Sequence, residues 1–415
     1  MKEIGSDQIA LAYVGSVLPE SDVLDQVAFS RAGNMFQENL LAALGGAGIP
    51  ASLILSQMPI RSFRNSSAIG FLGRSVPLAS GMSVRLVPFV NLPYLRPITV
   101  GLVVVANLLS WGWQQRDEPN RIVFTYNLTE PSGLFTLVGA RLIGAKAIAA
   151  VIDVNVPGET VPATWARRLD FWLQRQLIPR FDGIVVVNQQ ISQDFAPHVP
   201  YIRIEGGLQD EVLNRLLAPR ACEERTDDTF TIVSVGSLDD FNGFTELLEA
   251  FSLIPGKRFR LRIAGDGPLK GSVCQAAARD PRIEYCGYLP FDQVLGLYET
   301  ADVLINMRLT QRIKTEYFFP SKMMEYLGCG VPVITTCTGH VEEEYGDFVF
   351  LLKDEGPRGL AHMIEYVASL DPTIRAEKGK AAQQHIRSHS TWEAQGQRIA
   401  EFIRERVVQL AVKDR

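Results

Sequence analysis

Lys322 and Glu325 stand three positions apart in the run Phe319-Pro320-Ser321-Lys322-Met323-Met324-Glu325-Tyr326-Leu327-Gly328-Cys329-Gly330, which leads into Val331-Pro332-Val333-Ile334-Thr335. The pattern predicts a short helix, a turn and a buried strand. Pro320 suits a first helical turn, where its missing N–H costs nothing. Gly328 and Gly330 can close the helix in a left-handed conformation, and 331–334 read as strand. Positions i and i+3 share a helix face. With a rise of roughly 1.5 Å per residue, the two α-carbons lie about 4.5 Å apart along the axis. A cation in the first turn opposes the helix dipole, which favours anions there. That placement makes sense if Ser321, Lys322 and the free N–H groups beside them grip one anion. Glu325, one turn deeper, would then accept hydrogen bonds from a pair of sugar hydroxyls. The other reading is a solvated ion pair across one helix turn, and these residues alone leave both open.

The elements that must hold such a site are legible in outline. A chain of 415 residues is too long for one ordinary core, so two domains are expected. Hydrophobic residues make up 47% and charged residues 21%, the balance of a well-packed soluble protein. Strands are predicted over 9–14, 51–55, 121–126, 147–152, 183–187 and 201–204, with a helix over 34–44. After a polar linker at 219–228, a new alternation begins with strands over 230–236, 260–264, 283–285, 303–306 and 332–335 and a helix over 244–251. Helices alternating with short apolar strands imply parallel sheets covered on both faces. The expected division is 1–205, 206–390, and a helix over 391–412 that packs back toward the first domain, with the ligand cleft between the domains. Glycines at strand ends (Gly15, Gly236, Gly265) let backbone approach phosphate, a weak signal because such turns are common. No complete GxGxxG follows a strand, which disfavours a dinucleotide oxidoreductase.

Charge narrows the partners. The net charge of −5 argues against a general nucleic-acid binder. Yet no acidic residue lies between Glu38 and Asp117, where Arg61, Arg64, Arg74, Arg85, Arg96 and Arg116 all fall. Such a stretch would draw an anionic surface or a phosphorylated substrate, although ordinary surface arginines give the same pattern. The uncharged segment 97–115 approaches a membrane span in length. Polar Thr99, Asn107, Ser110 and Gln114 interrupt it, so a buried or interfacial helix is expected instead. Five cysteines without a CxxC pair or a histidine at ligand spacing indicate reduced thiols, hence a cytoplasmic protein. The early Glu3 and Asp7 do not read as a signal peptide.

The set of motifs resembles the family-4 retaining glycosyltransferases of the two-Rossmann GT-B fold, in particular a bacterial branch associated with capsule and exopolysaccharide synthesis. In the first half the likeness rests on Ala32-Gly33-Asn34-Met35-Phe36-Gln37, Val90-Asn91-Leu92-Pro93, Tyr126-Asn127-Leu128 and Ile204-Glu205-Gly206-Gly207. In the second it rests on Ala264-Gly265-Asp266-Gly267-Pro268, Ile305-Asn306-Met307-Arg308-Leu309-Thr310, the Lys322 run and Glu343-Glu344-Tyr345. The resemblance implies that Gly33 and Asn34 lie on the loop after the first strand, leaning toward donor phosphates. It places Gly236, Ser237 and Asn242 where relatives carry Gly, Arg and Lys against the diphosphate, so Lys322 and Arg308 must supply more of the positive charge. Tyr288 would stack near the nucleobase, and Glu325 would hold the ribose. Tyr317 stands where relatives place a second glutamate toward the donor sugar. Asp153 would face the acceptor, orienting its hydroxyl and sharing positive charge on the sugar; a helix-capping Asp is its other reading. His340 lies near enough to the Lys322 run to reach the donor.

The implied activity is transfer of a sugar from a nucleoside diphosphate sugar to a glycan or polyprenol-linked acceptor, with retention and without metal or cofactor. Arg61, Arg64, Arg74 and Arg85 would serve the acceptor or an anionic membrane. A non-catalytic nucleotide-sugar sensor or scaffold is the alternative, suggested by Ser237, Asn242 and Tyr317.

Overall fold

A computed structural model describes residues 8–19, 30–60, 63, 68–78, 80–128, 132–158, 161–217, 228–312, 316–320 and 322–409. The chain divides into two compact units, Met1–Glu205 together with Trp392–Arg415, and Gly206–Thr391.

The first unit runs β1 (Ile9–Gly15), α1 (Arg31–Gly46), β2 (Ala51–Ser56), β3 (Gly70–Phe71), β4 (Arg74–Pro77), β5 (Ser83–Leu86), β6 (Phe89–Val90), α2 (Leu95–Gln114), β7 (Asn120–Tyr126), α3 (Ser132–Leu142), β8 (Lys146–Val151), α4 (Trp165–Leu177), β9 (Gly183–Val186), α5 (Gln189–Phe195) and β10 (Tyr201–Arg203). Its main sheet has the order β10-β9-β8-β7-β1-β2-β5-β4, and every pair is parallel except β4 with β5. The central strands are buried on both faces, which explains their near-continuous Val, Ile and Ala. The segment around 70–90, for which no strand was expected, folds into two short antiparallel pairs, β4 with β5 and β3 with β6. Four-residue strands with exposed polar positions carry too little periodicity to be read locally.

The second unit runs α6 (Asp210–Leu217), β11 (Phe230–Ser237), α7 (Phe244–Leu253), β12 (Phe259–Asp266), α8 (Lys270–Arg279), β13 (Ile283–Gly287), α9 (Phe291–Glu299), β14 (Val303–Asn306), α10 (Lys322–Gly328), β15 (Val333–Thr336), α11 (Val341–Tyr345), β16 (Phe350–Leu352), α12 (Pro357–Ser369) and α13 (Pro372–His389). Its sheet order is β13-β12-β11-β14-β15-β16, all parallel, the 3-2-1-4-5-6 order of a dinucleotide-binding fold. Two apolar clusters, one on each face, fill the space between sheet and helices. The last helix, α14 (Trp392–Phe402), belongs to the first unit and ends in a wider turn at Ile403–Val407. There it packs on α1: a β-carbon on Gly396 would lie 2.5 Å from the Ala43 carbonyl oxygen, and Trp392 meets Phe36 edge-on at 5.0 Å.

The uncharged segment folds as α2 and is the one helix among the described residues long and apolar enough to cross a membrane. Val100, Val104, Leu108 and Trp111 form its buried face, and the Trp111 indole donates to Ser52 Oγ at 2.9 Å. Gly101 lets the Phe135 ring of α3 sit where a side chain would be, and Gly112 does the same for Ile143.

The expected strand over 331–334 starts two residues later, because Gly330 takes φ +69° to turn the chain off α10. Pro320 precedes α10 instead of entering its first turn, and Ser321 lies outside the described residues.

Gly265 carries the tightest backbone constraint in the second unit. It adopts φ +145°, and a β-carbon there would lie 1.8 Å from the Gly236 carbonyl oxygen on the paired strand. The Gly265→Ala variant should lose at least about 3 kcal/mol of stability in urea unfolding, because both backbone strain and a backbone clash oppose it. Gly271→Ala, in open space on α8, should stay within about 1 kcal/mol of the parent. Equal midpoints for the two variants would refute this account of Gly265.

Candidate functional site

Each sheet reverses its strand order once, between β1 and β7 in the first unit and between β11 and β14 in the second. Open α/β sheets bind ligands outside the carboxyl ends of the strands at such points. Candidate residues gather at both places.

In the second unit the Lys322 run lands at the reversal point. The buried face of α10 is made by Met323, Met324, Tyr326 and Leu327. The Tyr326 hydroxyl accepts from the Val235 N–H at 2.9 Å and donates to the Val235 carbonyl at 3.3 Å, tying the helix to the end of β11. Lys322 and Glu325 are left on the opposite face, half-buried. A β-carbon on Gly236 would lie 3.7 Å from Lys322 Cε. The lysine stem therefore passes within contact distance of Gly236, at the carboxyl end of β11.

Glu325 is held from behind. Its Oε2 accepts from the Tyr298 hydroxyl of α9 at 3.0 Å. Burial raises the carboxyl above its ordinary range, and the charge of Lys322 and the Tyr298 hydrogen bond draw it partly back. The Tyr298 phenol is itself pushed up, first by burial and then by the Glu325 charge. Sequence reasoning missed Tyr298. It reads as one more apolar position on an amphipathic helix, and no local signal marks a partner 27 residues ahead.

The remaining donor-side candidates fall at strand ends with varied roles. Arg308 follows β14, and its backbone N–H donates to Thr336 Oγ1 at 3.0 Å. Asn242 turns inward on its own loop: its amide donates to the Ser237 carbonyl and its N–H to Asp239 Oδ1, both at 2.9 Å. Ser237 is exposed at the end of β11. Gly265 has a structural need for its lack of a side chain, the approach of the Gly236 carbonyl. Tyr288 is exposed after Gly287 (φ +78°) on the edge strand β13. With one strand between them, β13 and β11 lie about 10 Å apart. Tyr317 is half-buried just ahead of α10. His340 is buried and stacks on Phe319 at 5.4 Å, flanking the entrance to the Lys322 run. The loop after β14 is fixed by Glu355, whose carboxylate accepts from the Thr310 N–H (2.9 Å) and hydroxyl (2.7 Å). Among the described residues, no group of three or more His, Cys, Asp or Glu is placed to hold a metal ion.

In the first unit two expectations need correction. Gly33 and Asn34 are not on a loop: both lie in the first turn of α1, which Ser30 caps through Gly33 N–H at 3.1 Å. The Asn34 amide is committed to the backbone, accepting from Leu18 N–H at 2.8 Å and donating to Leu18 O at 3.0 Å. It clasps the loop after β1. Gln37, to which the sequence assigned no role, does similar work by accepting from Ser16 N–H and the Tyr13 hydroxyl. Asp153 is exposed just beyond β8. It caps no helix, since the next one, α4, starts at Trp165 under a Thr164 cap. Instead Asn127 organises it. In a left-handed conformation (φ +47°), its side-chain oxygen accepts from the Ile152 and Asp153 N–H groups, and its amide reaches Asp153 Oδ2 at 3.4 Å. The Asp153 charge, after burial, adds to the upward shift of the Tyr126 phenol.

Of the four arginines assigned to an acceptor or membrane, Arg61 and Arg64 lie outside the described residues. Arg74 is exposed on β4, and Arg85 donates to Asn107 Oδ1 of α2 at 2.6 Å. Arg96, from the same acid-free stretch, is structural: it donates to the Ile60 and Met58 carbonyls, and its guanidinium lies over the Phe89 ring.

Residues 229–369 match the family model described as glycosyl transferases group 1. That match lies within the second unit. A phosphatidylinositol N-acetylglucosaminyltransferase subunit of Arabidopsis thaliana is 27% identical over 158 residues, covering 36% of this chain and 34% of that protein. The putative colanic acid biosynthesis glycosyltransferase WcaL of Escherichia coli (strain K12) is 27% identical over 163 residues, covering 37% and 40%. The matches thus span well under half of either relative. The structure of Anabaena Alr3699/HepE in complex with UDP and glucose superposes with a TM-score of 0.63 at 15% identity, covering 95% of this chain and 99% of that one. At that identity the likeness is one of fold, the GT-B pair of Rossmann-like domains.

Within the second unit the desolvation of the Glu325 carboxyl has a cost that can be measured. The folded carboxyl keeps its proton to higher pH than an unfolded glutamate, so the folded state binds more protons between the two values, and stability falls as pH rises through that window. Glu325→Gln, which keeps an acceptor for Tyr298, should therefore raise the unliganded melting temperature at pH 8 and have a smaller effect at pH 4. Thermal unfolding at the two pH values checks this, and a destabilised variant at pH 8 would contradict it.

Proposed function

We propose that the protein is a glycosyltransferase that moves a sugar from a nucleoside diphosphate sugar to a glycan or lipid-linked oligosaccharide acceptor. The observation that carries this reading is the placement of Lys322 beside Gly236 at the end of β11 with Glu325 one turn deeper, at the reversal point of a sheet inside the matched segment. The bond from the anomeric carbon to the diphosphate breaks with its electron pair going to the diphosphate oxygen. The acceptor oxygen bonds to the same carbon with retention, and its proton leaves with the nucleoside diphosphate. Charge grows on the departing diphosphate, so prearranged positive groups are the main demand on the protein. Lys322 and Arg308 meet it, and they carry more of it because Ser237 and Asn242 are uncharged. Glu325, steadied by Tyr298, takes the ribose hydroxyls. Asp153 orients the acceptor hydroxyl.

The family of the matched segment, a relative named for colanic acid biosynthesis and a fold neighbour bound to UDP support this reading. We take the transfer to need no metal ion, with the lysine and arginine supplying the positive charge. We place the reaction in bacterial surface polysaccharide synthesis, at the cytoplasmic side of the membrane, with the acceptor on the first unit near Arg74 and Arg85.

A panel of UDP, GDP, ADP and dTDP sugars tests the proposal. One donor should raise the melting temperature, because a ligand bound only by the native state stabilises it. With that donor and a glycan acceptor, transfer should proceed in EDTA, and Lys322→Ala should lower kcat at least about a hundredfold, the scale of losing one preorganised donor. Binding without turnover would favour the sensor reading, and near-normal turnover of Lys322→Ala would remove that residue from the chemistry.

A further inference from the structure

The first unit turns an apolar surface to solvent along three neighbouring helices. α2 and α3 pack side by side through Gly101 and Gly112, and a shallow groove of about 860 Å³ separates α3 from α4, lined by residues such as Leu137, Val138, Leu142, Trp172 and Leu173. On α4 the polarity runs opposite to that of an ordinary surface helix: Gln174 is buried, while Trp165, Leu169 and Trp172 are 67%, 47% and 55% exposed. These three occupy positions i, i+4 and i+7 and form one outward stripe. Leu134, Val138 and Leu142 repeat the arrangement on α3, and Leu102, Leu109 and Trp113 on α2. Three of the protein's five tryptophans are thus held in water.

Charge says what covers this face. Arg168 and Arg175 are exposed on α4 beside its stripe, with Arg167 on the same helix. Arg141, ion-paired to Asp182 at 3.0 Å, ends α3, and Arg180 follows α4. Asp170 is the one acidic residue on the three helices, and it accepts from Gln174. A tryptophan and leucine stripe flanked by arginine is the composition of a helix lying in the headgroup region of a bilayer, with rings at the acyl boundary and guanidinium groups on phosphate. A two-fold pairing of this face with a second copy would instead gather like charges on one interface.

We propose that the face formed by α2, α3 and α4 docks on an anionic lipid bilayer, with Trp165 and Trp172 inserted and Arg168 and Arg175 paired to headgroup phosphates. This deepens the reading of a lipid-linked acceptor, and it assigns the contact to these helices and not to the arginines around β4 and β5.

Co-sedimentation of the full chain with phosphatidylcholine vesicles, with and without 30% phosphatidylglycerol, is the test. Partitioning should be at least about tenfold higher on the anionic vesicles at low salt, and this preference should fade at high salt. The double variant W165S/W172S should lose at least about tenfold of that binding with an unchanged melting temperature, since both side chains are exposed. R168E/R175E should lose the preference for anionic lipid. Equal recovery from the two vesicle types, or undiminished binding of W165S/W172S, would overturn the proposal. So would sedimentation velocity showing a dimer that W165S/W172S dissociates. The vesicles contain neither donor nor acceptor, so such a failure would leave the transferase reading standing.

Discussion

The hydroxyl of one buried tyrosine sets the geometry on which the second unit's site depends. Tyr326 is fully buried, and its phenol exchanges two hydrogen bonds with the backbone of Val235 at the end of β11. A buried phenol without partners would be costly, so α10 is held in one rotation about its axis. That rotation brings Lys322 over Gly236 and leaves Glu325 against Tyr298. Two tyrosines on adjacent helices, their rings edge to face at 5.1 Å, thus convert a seven-residue helix into a fixed support. The lysine stem lies beside Gly236 at the strand end, and the neighbouring Gly265 leaves room for the Gly236 carbonyl.

The first unit solves the same topological problem with amides. Its sheet also reverses order at the central strand, but Asn34, Gln37 and Asn127 fix the loops there through backbone hydrogen bonds. Each amide both donates and accepts, so one side chain can satisfy a loop that has no regular partner. The result is a stiff rim around Tyr126 and an exposed carboxylate at Asp153. The second unit presents cations and a half-buried acid, and the first an exposed acid.

Most of the fold is legible in the sequence because buried parallel strands are short, apolar and bounded by glycine or polar residues. Strands at 303–306 and 183–187 differ from β14 and β9 by at most one residue. The Lys322 run could be read for the same local reason, since helix, turn and strand follow one another within a short stretch. What escaped depends on contacts distant in sequence. Tyr298 is distinguished only by what lies opposite it, and Asn34 was misplaced because Ser30 starts α1 earlier than the apolar pattern does. The strands between 70 and 90 escaped because strands of two to four residues are too short to display a period. The outward stripe on α4 escaped for another reason: an amphipathic pattern gives the apolar face but not whether it points in or out.

The path of the chain has a consequence for synthesis. The first unit is interrupted by the whole of the second and is completed only by α14, whose Gly396 lets its backbone lie against that of α1 near Ala43. On a ribosome, residues 206–391 would emerge and could fold while α1 still lacked that neighbour. During that interval the nascent first unit would show Phe36 and its surroundings to the cytosol. The stretch after Thr391 therefore acts as a late closure, and a translation product stopped there would be damaged in the half of the protein made first.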